Sequence, residues 1–131
     1  MILEIEDNKT ISEFQQEFDI HYPYLKIEFF KRPHGYDETS PEEDRFPHHS
    51  TLGEIRGRHN PGALEVFSWT RTGDIEQQLS KRFGLFAQIY RLEGKEWVQT
   101  AGTDELTLKE QNEIGHKAAG GTRFDPRNLL D

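Results

Sequence analysis

Cysteine is absent from this chain of 131 residues, which excludes disulfide bonds and thiolate chemistry. The chain also lacks an apolar run of the length that a membrane-spanning helix needs. Its first residues, MILEIEDNK, lack the basic region and apolar core of a secretory signal peptide. We therefore expect a soluble, cytoplasmic protein with no membrane partner.

Positive charge is scarce. Lys and Arg number 16 against 24 Asp and Glu, which gives a formal net charge of −8. Such a field repels phosphate backbones, and the nearest basic group, formed by Arg56, Arg58 and His59, is too small to overcome it. The sequence therefore predicts no nucleic-acid partner.

Motifs for catalysis and cofactor binding are missing as well. The sequence contains neither a Gly-rich phosphate loop nor a Gly-x-Ser-x-Gly nucleophile elbow. Carboxylates are abundant, but no spacing marks one of them as a general acid. The sequence thus favours a protein that is not an enzyme and that has no cofactor.

Aromatic residues, in contrast, make up 11% of the chain, whereas disordered chains are poor in them. A length of 131 residues is typical of one domain. We therefore predict a single folded domain over residues 1–131, with a long inserted loop at 31–62 and an irregular tail at 118–131.

The first half of the chain reads as strand, helix, strand. Residues 1–7 alternate between apolar and polar positions, which is typical of a half-buried strand. Thr10 and Glu13 then form a capping box that begins a helix. Alternation returns at residues 25–30. The apolar stripe of the predicted helix consists of Ile11, Phe14 and Phe18.

The second half repeats this order. Residues 64–71 are rich in strand-forming side chains, Asp74 is a plausible helix cap, and Gly84 is suited to end the helix in a left-handed conformation. A further strand covers residues 85–90. After a turn, residues 96–100 are expected to form a hairpin strand, and Thr107–Gly115 a short helix.

Two strand-helix-strand units in tandem predict the fold class. We expect an α+β protein with a ferredoxin-like βαββαβ two-layer sandwich, extended by a C-terminal hairpin strand and a short helix. A ubiquitin-like grasp fold is the main alternative. That fold opens with a hairpin, whereas here a helix directly follows the first strand.

Strand alternation predicts an open aromatic face on the sheet. If Leu64, Val66, Ala87 and Ile89 face the helices, aromatic side chains occupy the opposite side, and a large exposed apolar surface is unusual in a monomer. The long loop or the C-terminal helix could cover it, and so could a second copy of the chain, another protein or a small molecule; base stacking is disfavoured by charge. The predicted interaction surface consists of Phe67, Trp69, Phe86, Tyr90 and Trp97.

The favoured function is therefore protein–protein contact, with self-association through this aromatic face. The alternative is a small enzyme or ligand-binding protein with a pocket under the long loop. His48, His49, Glu54 and His59 would then supply polar or metal-binding groups, since imidazole and carboxylate can both hold divalent metals. Their spacing matches no established metal motif, and a solvated loop with surface histidines is the favoured explanation for them.

The segment FGLFAQIYRLEGKEWVQTAGTDELTLKEQNEIG, residues 83–115, resembles a stretch found in a family of small uncharacterised bacterial proteins. In that family Phe-Gly-Leu leads a strand, a short turn follows, and Thr-Asp, Thr-Leu and Gln-Asn lead into a helix. PYLKIEFF is similar in a looser way. The resemblance implies a bacterial origin and places residues 103–115 inside the domain. It carries no activity and no catalytic residues.

Overall fold

The polypeptide alternates short strands and helices over residues 1–119, the part of the chain that a computed structural model describes. The predicted tail at 118–131 lies outside the described residues except for its first two. The elements are β1 (Ile2–Ile5), α1 (Ile11–His21), β2 (Leu25–Phe30), a 3-10 turn (Glu42–Asp44), α2 (Leu52–Ile55), β3 (Gly62–Glu65), α3 (Thr72–Phe83), β4 (Phe86–Glu93), β5 (Glu96–Gln99) and α4 (Leu108–Ala118).

The strands form two antiparallel sheets, one with the order β1-β3 and one with the order β2-β4-β5. Thus the first strands of the two halves pair with each other, with Leu3 opposite Leu64, and so do the second strands, with Ile27 opposite Ile89. The α+β class is confirmed. The ferredoxin-like arrangement is not, because it requires all four strands in one shared sheet.

The predicted third strand is shorter than its sequence suggests. It ends at Glu65, because a turn follows in which the Thr70 amide donates to the Phe67 carbonyl. The chain then enters α3 at Thr72, two residues before the predicted cap at Asp74. Residues 66–71 are therefore a connection, and their aromatic side chains do not belong to a sheet face.

Apolar side chains from both sheets and from the helices form one core. Leu64, Val66, Ala87 and Ile89 are all buried in it, as the alternation predicts. The helices α1 and α3 contribute their apolar stripes, which include Phe14, Phe18, Ile75, Leu79 and Phe83.

The helix ends follow local sequence rules. The predicted capping boxes at Thr10–Glu13 and Thr107–Glu110 are both present. Gly84 ends α3 with φ 66° and ψ 26°, a left-handed conformation that glycine adopts without steric cost. Among residues 1–119, no helix is long and apolar enough to cross a membrane.

The long connection between β2 and β3 is structured and packs on the sheet. Its middle pairs with the edge of β2, where the Lys31 amide donates to the Asp44 carbonyl and the Phe46 amide to the Phe29 carbonyl. It also covers the sheet face away from the core, because Gln88 donates to the Ser40 hydroxyl. Among the alternatives that the sequence left open for the aromatic face, coverage by the long loop therefore holds for part of that face.

The end of this connection caps the C-terminus of α3. The last carbonyl groups of a helix have no partner within it. Here Arg58 donates to the Ser80 and Lys81 carbonyls, Asn60 to the Arg82 carbonyl, and Arg56 to the Phe83 carbonyl. The basic residues noted in the sequence therefore serve the fold at the negative end of a helix dipole.

Replacing Gly115 with alanine should lower the free energy of unfolding by about 1 to 3 kcal/mol. A Cβ at Gly115 would lie 2.7 Å from the Tyr24 Cβ and 3.1 Å from the Leu92 carbonyl oxygen, so α4 must move away from β2 and β4. Urea denaturation measures the change. Gly57→Ala is the control, because a Cβ there meets nothing within 4 Å; equal stability losses in the two variants would contradict the packing explanation.

Candidate functional site

A cavity of about 150 Å³ lies between α3 and the start of the long connection. Three separate segments supply its polar side chains: His34 comes from the connection, Glu76 from α3, and Asp104 from the loop between β5 and α4. Tyr36, Phe86 and Pro33 add apolar surface. The site therefore exists only in the folded chain.

The cavity forms where β4 lacks a strand neighbour. The pairing between β4 and β5 begins at Tyr90, so the groups of Ala87 and Ile89 on that edge need other partners. The Glu76 carboxylate accepts from the Ile89 amide at 2.7 Å, and His34 Nε2 lies 2.7 Å from the Ala87 carbonyl oxygen. Side chains thus take the place of a strand here.

His34 is held by two carbonyl oxygens. Nδ1 lies 2.8 Å from the Gly35 oxygen, and Nε2 lies 2.7 Å from the Ala87 oxygen. Because a carbonyl oxygen only accepts hydrogen bonds, both contacts are hydrogen bonds only when the ring carries protons on both nitrogens. Glu76 Oε1 lies 3.8 Å from Nε2 of the same ring.

Glu76 is a buried carboxyl group that is not fully satisfied. It is 3% exposed, and its Oε1 atom has no hydrogen-bond partner within residues 1–119. Burial raises the pKa of Glu76 well above its usual value, and the nearby charge of Asp104 raises this pKa further, while the hydrogen bond from Ile89 opposes both effects.

Asp104 is the second such group. It is 1% exposed, and its Oδ1 atom also has no partner in the described chain. Its Oδ2 accepts from the Asp37 amide, and the Asp104 amide donates to the Asp37 carboxylate. Burial raises the pKa of Asp104; the Asp37 amide lowers it, the Asp37 charge raises it, and His34 lowers it.

Backbone strain and close packing also concentrate at this site. Asp37 has φ 63°, and no other non-glycine residue among residues 1–119 has positive φ. Gly73 lets the Tyr36 ring approach the backbone of α3, since a Cβ there would collide with that ring and lie 2.7 Å from the Asp104 Cβ. The connection is thus tightly fitted against α3 beside the cavity.

The predicted aromatic surface is divided among three places. Phe67 and Trp69 stack on each other in the turn after β3, with ring centroids 4.7 Å apart, and are 39% and 69% exposed. Tyr90 and Trp97 lie on either side of Lys26, whose Nζ is 5.1 Å and 5.2 Å from their rings. Phe86 lines the cavity.

Tyr90 is not available for contact with another molecule. It is 3% exposed, and its hydroxyl group donates to Glu42 Oε1 at 2.7 Å. Burial and the hydrogen bond to Glu42 raise the Tyr90 pKa. The long connection covers this ring, so the expectation that Tyr90 lies on an open face is wrong.

The four polar residues predicted at the pocket mouth lie apart from the cavity. His48 contacts Glu28 at 2.8 Å, and His59 contacts Asp7 at 2.9 Å. Glu54 caps α2 from the capping box that it shares with Thr51, whose backbone amide lowers the Glu54 pKa. His49 is exposed. Residues 1–119 contain no group of three or more His, Cys, Asp and Glu side chains that could hold a metal ion.

Glu28 is a buried carboxylate in which both oxygens have polar partners. It is fully buried on β2, and four side chains contact its oxygens: Gln15 at 3.1 Å, Lys26 at 3.1 Å, Arg45 at 3.4 Å and His48 at 2.8 Å. Glu76 is comparably buried, but its Oε1 has no hydrogen-bond partner among residues 1–119. This contrast marks the cavity as the candidate site.

The sequence reasoning missed His34, Glu76 and Asp104. Glu76 carried a signal, because it lies three residues before Leu79 and seven before Phe83, which places a carboxyl group on the apolar face of α3. His34 and Asp104 carried none, since both belong to connections. Asp104 precedes α4 and is expected from sequence to interact with its dipole, but it bonds to Asp37 instead.

Comparisons with known proteins supply no further assignment. The chain matches no protein-family model, no curated protein and no solved structure.

Proposed function

We propose that the protein binds a small molecule in the cavity between α3 and residues 33–36. One observation carries the proposal: Glu76 is 3% exposed and lines the cavity with an oxygen that has no hydrogen-bond partner in residues 1–119. Leaving a buried polar atom unpaired costs about 1 to 3 kcal/mol, so a bound molecule that supplies the partner is favoured. The sequence already offered a pocket under the long loop as the alternative function, but the residues proposed here differ from those predicted.

The cavity limits the size of the ligand. A volume of about 150 Å³ is enough for a molecule the size of benzene. About seven heavy atoms at roughly 0.6 kcal/mol each would give a dissociation constant near 1 mM, and stronger polar contacts would lower it. A ligand-binding role needs no catalytic residue, and an enzymatic role would require a reacting group that the geometry does not single out.

A fragment titration tests the proposal. We expect compounds of about five to eight heavy atoms to shift the amide signals of Gly35, Gly73 and Ile89 in two-dimensional NMR spectra. Ser80→Phe should abolish these shifts by filling the cavity that Ser80 lines, whereas Gln78→Phe on the same helix should retain them. Shifts that are absent throughout the panel, or equal in the two variants, would refute the proposal.

A second candidate function is self-association through the stacked pair of Phe67 and Trp69. Two adjacent exposed aromatic side chains are typical of interface hot spots. This is the part of the predicted aromatic surface that stays exposed.

The ferredoxin-like relationship, the cytoplasmic location and the bacterial origin stay expectations from the sequence.

If the stacked pair mediates self-association, Trp69→Glu should convert a dimer into a monomer in sedimentation velocity experiments, with an unchanged far-UV spectrum. Ile20→Glu is the matched control, because Ile20 is 75% exposed on α1 and lies outside the proposed surface. A monomeric wild-type protein at high micromolar concentration would exclude this candidate.

A further inference from the structure

The unpaired atoms at the cavity share one chemistry. Glu76 Oε1 and Asp104 Oδ1 are both carboxyl oxygens, and both belong to side chains that line the cavity. An ionised carboxylate oxygen only accepts hydrogen bonds, and a cation bound beside these two groups favours their ionised form. A ligand that satisfies these atoms must therefore supply donors such as N–H groups.

The charges at the inner wall favour a positive ligand. The carboxyl groups of Glu76 and Asp104 line the cavity, and Asp37 is hydrogen-bonded to Asp104. His34 Nε2 lies on the other side, 3.8 Å from Glu76 Oε1. Lys81 also lines the cavity, but it is exposed, so water and salt screen its charge. Three carboxyl groups at or beside the cavity therefore favour a positively charged ligand.

The remaining walls suit an organic cation rather than a bare ion. Phe86 and Tyr36 are half-buried and line the same cavity, and aromatic faces attract ammonium and guanidinium groups. Residues 1–119 provide no group of three or more ligating side chains for a metal ion. Two carboxyl groups with aromatic surface beside them fit an N–H cation on a small apolar body.

We infer that the cavity binds a small organic cation with N–H donors, a primary amine or amidine of about eight heavy atoms or fewer, with its nitrogen at Glu76 and Asp104. This inference rests on the proposed function, because it names the ligand class of the same cavity.

Benzylamine and benzyl alcohol are the probes that test the inference, because they have the same shape and number of heavy atoms but differ in charge. We expect benzylamine to bind at least tenfold more tightly at pH 7 in NMR titrations. Glu76→Gln should remove most of this preference while keeping an oxygen that accepts from the Ile89 amide. Asp104→Asn is the second variant if Glu76→Gln does not fold.

The outcomes separate the ligand class from the site itself. If benzyl alcohol binds as tightly as benzylamine or more tightly, with shifts that Ser80→Phe abolishes, the inference of a cationic ligand is refuted. The proposal that the cavity binds a small molecule then still holds. Benzylamine binding that survives Glu76→Gln and Asp104→Asn unchanged would also overturn the inference of a cationic ligand, since the nitrogen would then lie elsewhere. If neither probe nor any fragment of the panel binds, the proposed function fails and the inference fails with it.

Discussion

Replacing Arg56 with alanine should lower the free energy of unfolding by about 3 kcal/mol, although the residue lies in a connection and does not line the cavity. The Arg56 side chain is completely buried. Its guanidinium donates to Asp7 Oδ1 at 3.0 and 2.8 Å, to the Asn60 carbonyl at 3.0 Å and to the Phe83 carbonyl at 3.2 Å. Alanine leaves these acceptors without a donor and opens a void. Chemical denaturation measures the loss.

Arg58→Ala is the matched control for this prediction. Arg58 also donates to carbonyls at the end of α3, at 2.9 and 2.8 Å, but these contacts are exposed, so water can replace them and the loss should stay below about 1 kcal/mol. Similar losses in the two variants would show that burial of the Arg56 guanidinium is not the cause.

The hydrogen bond from Arg56 also lowers the Asp7 pKa. A lowered pKa contributes stability that is present above the unfolded value of 3.8 and is lost as the pH falls through the folded value. This acid-side contribution should be reduced in Arg56→Ala, because Asp7 then loses the hydrogen bond that lowers its pKa most and keeps its contact with His59.

Glu76→Gln should stabilise the protein at neutral pH and flatten the decline of stability with rising pH. The folded pKa of Glu76 lies well above the usual value of 4.5, so folding takes up a proton between these two values. The stabilising contribution is complete below pH 4.5 and is lost as the pH rises through the folded pKa, with a slope of up to about 1.4 kcal/mol per pH unit. Glutamine does not titrate.

The charged groups around Glu76 determine how much of the decline of stability with rising pH remains in Glu76→Gln. Asp104 has a raised pKa for the same reason, burial, and should keep part of the decline. Asp37 raises the Glu76 pKa by its charge, and His34 Nε2 lies 3.8 Å from Glu76 Oε1. Denaturation curves from pH 4 to pH 9 measure the difference between wild type and variant.

Glu54→Gln is a control, because the Glu54 pKa is lowered whereas the Glu76 pKa is raised. Backbone and hydroxyl hydrogen bonds from Thr51 lower the Glu54 pKa, so its contribution is present above pH 4.5 and is lost as the pH falls. Removing it should change only the acid side of the curve. If wild type and Glu76→Gln show parallel curves above pH 5, the Glu76 carboxyl group does not take up a proton on folding.

Glu76→Gln should change both the stability of the protein and its preference among ligands. On the proposed function, a buried carboxyl group that lowers stability is retained for what it contributes to ligand binding. We therefore expect Glu76→Gln to gain stability and to lose the preference for benzylamine over benzyl alcohol. A variant that gains stability and keeps the preference would separate the two properties.

Local patterns in the sequence predicted the elements that depend on neighbouring residues. The capping boxes at Thr10–Glu13 and Thr107–Glu110 are present, and Gly84 ends α3. Alternation placed Leu64 and Ile89 in the core. Such features involve residues within a few positions of each other, so the chain specifies them before any tertiary contact forms.

The pairing of strands could not be read in the same way. Nothing in the alternation of β2 says whether it pairs with β3 or with β4, because both offer an apolar face at the same spacing. The turn at residues 66–70 shortened β3 and left Phe67 and Trp69 on a connection. The expected single aromatic face was divided by this turn and by the long connection, which covers Tyr90.

The sequence by itself determined the core stripes, the helix caps and the absence of cysteine and of excess positive charge, because each depends on composition or on residues close in the chain. Only the tertiary structure brought His34, Glu76 and Asp104 to one cavity, across successive separations of 42 and 28 positions in the chain. The physical reason is the edge of β4 at Ala87 and Ile89, which lies beyond the pairing with β5. Its backbone groups must find partners, and they recruit side chains that no sequence pattern links.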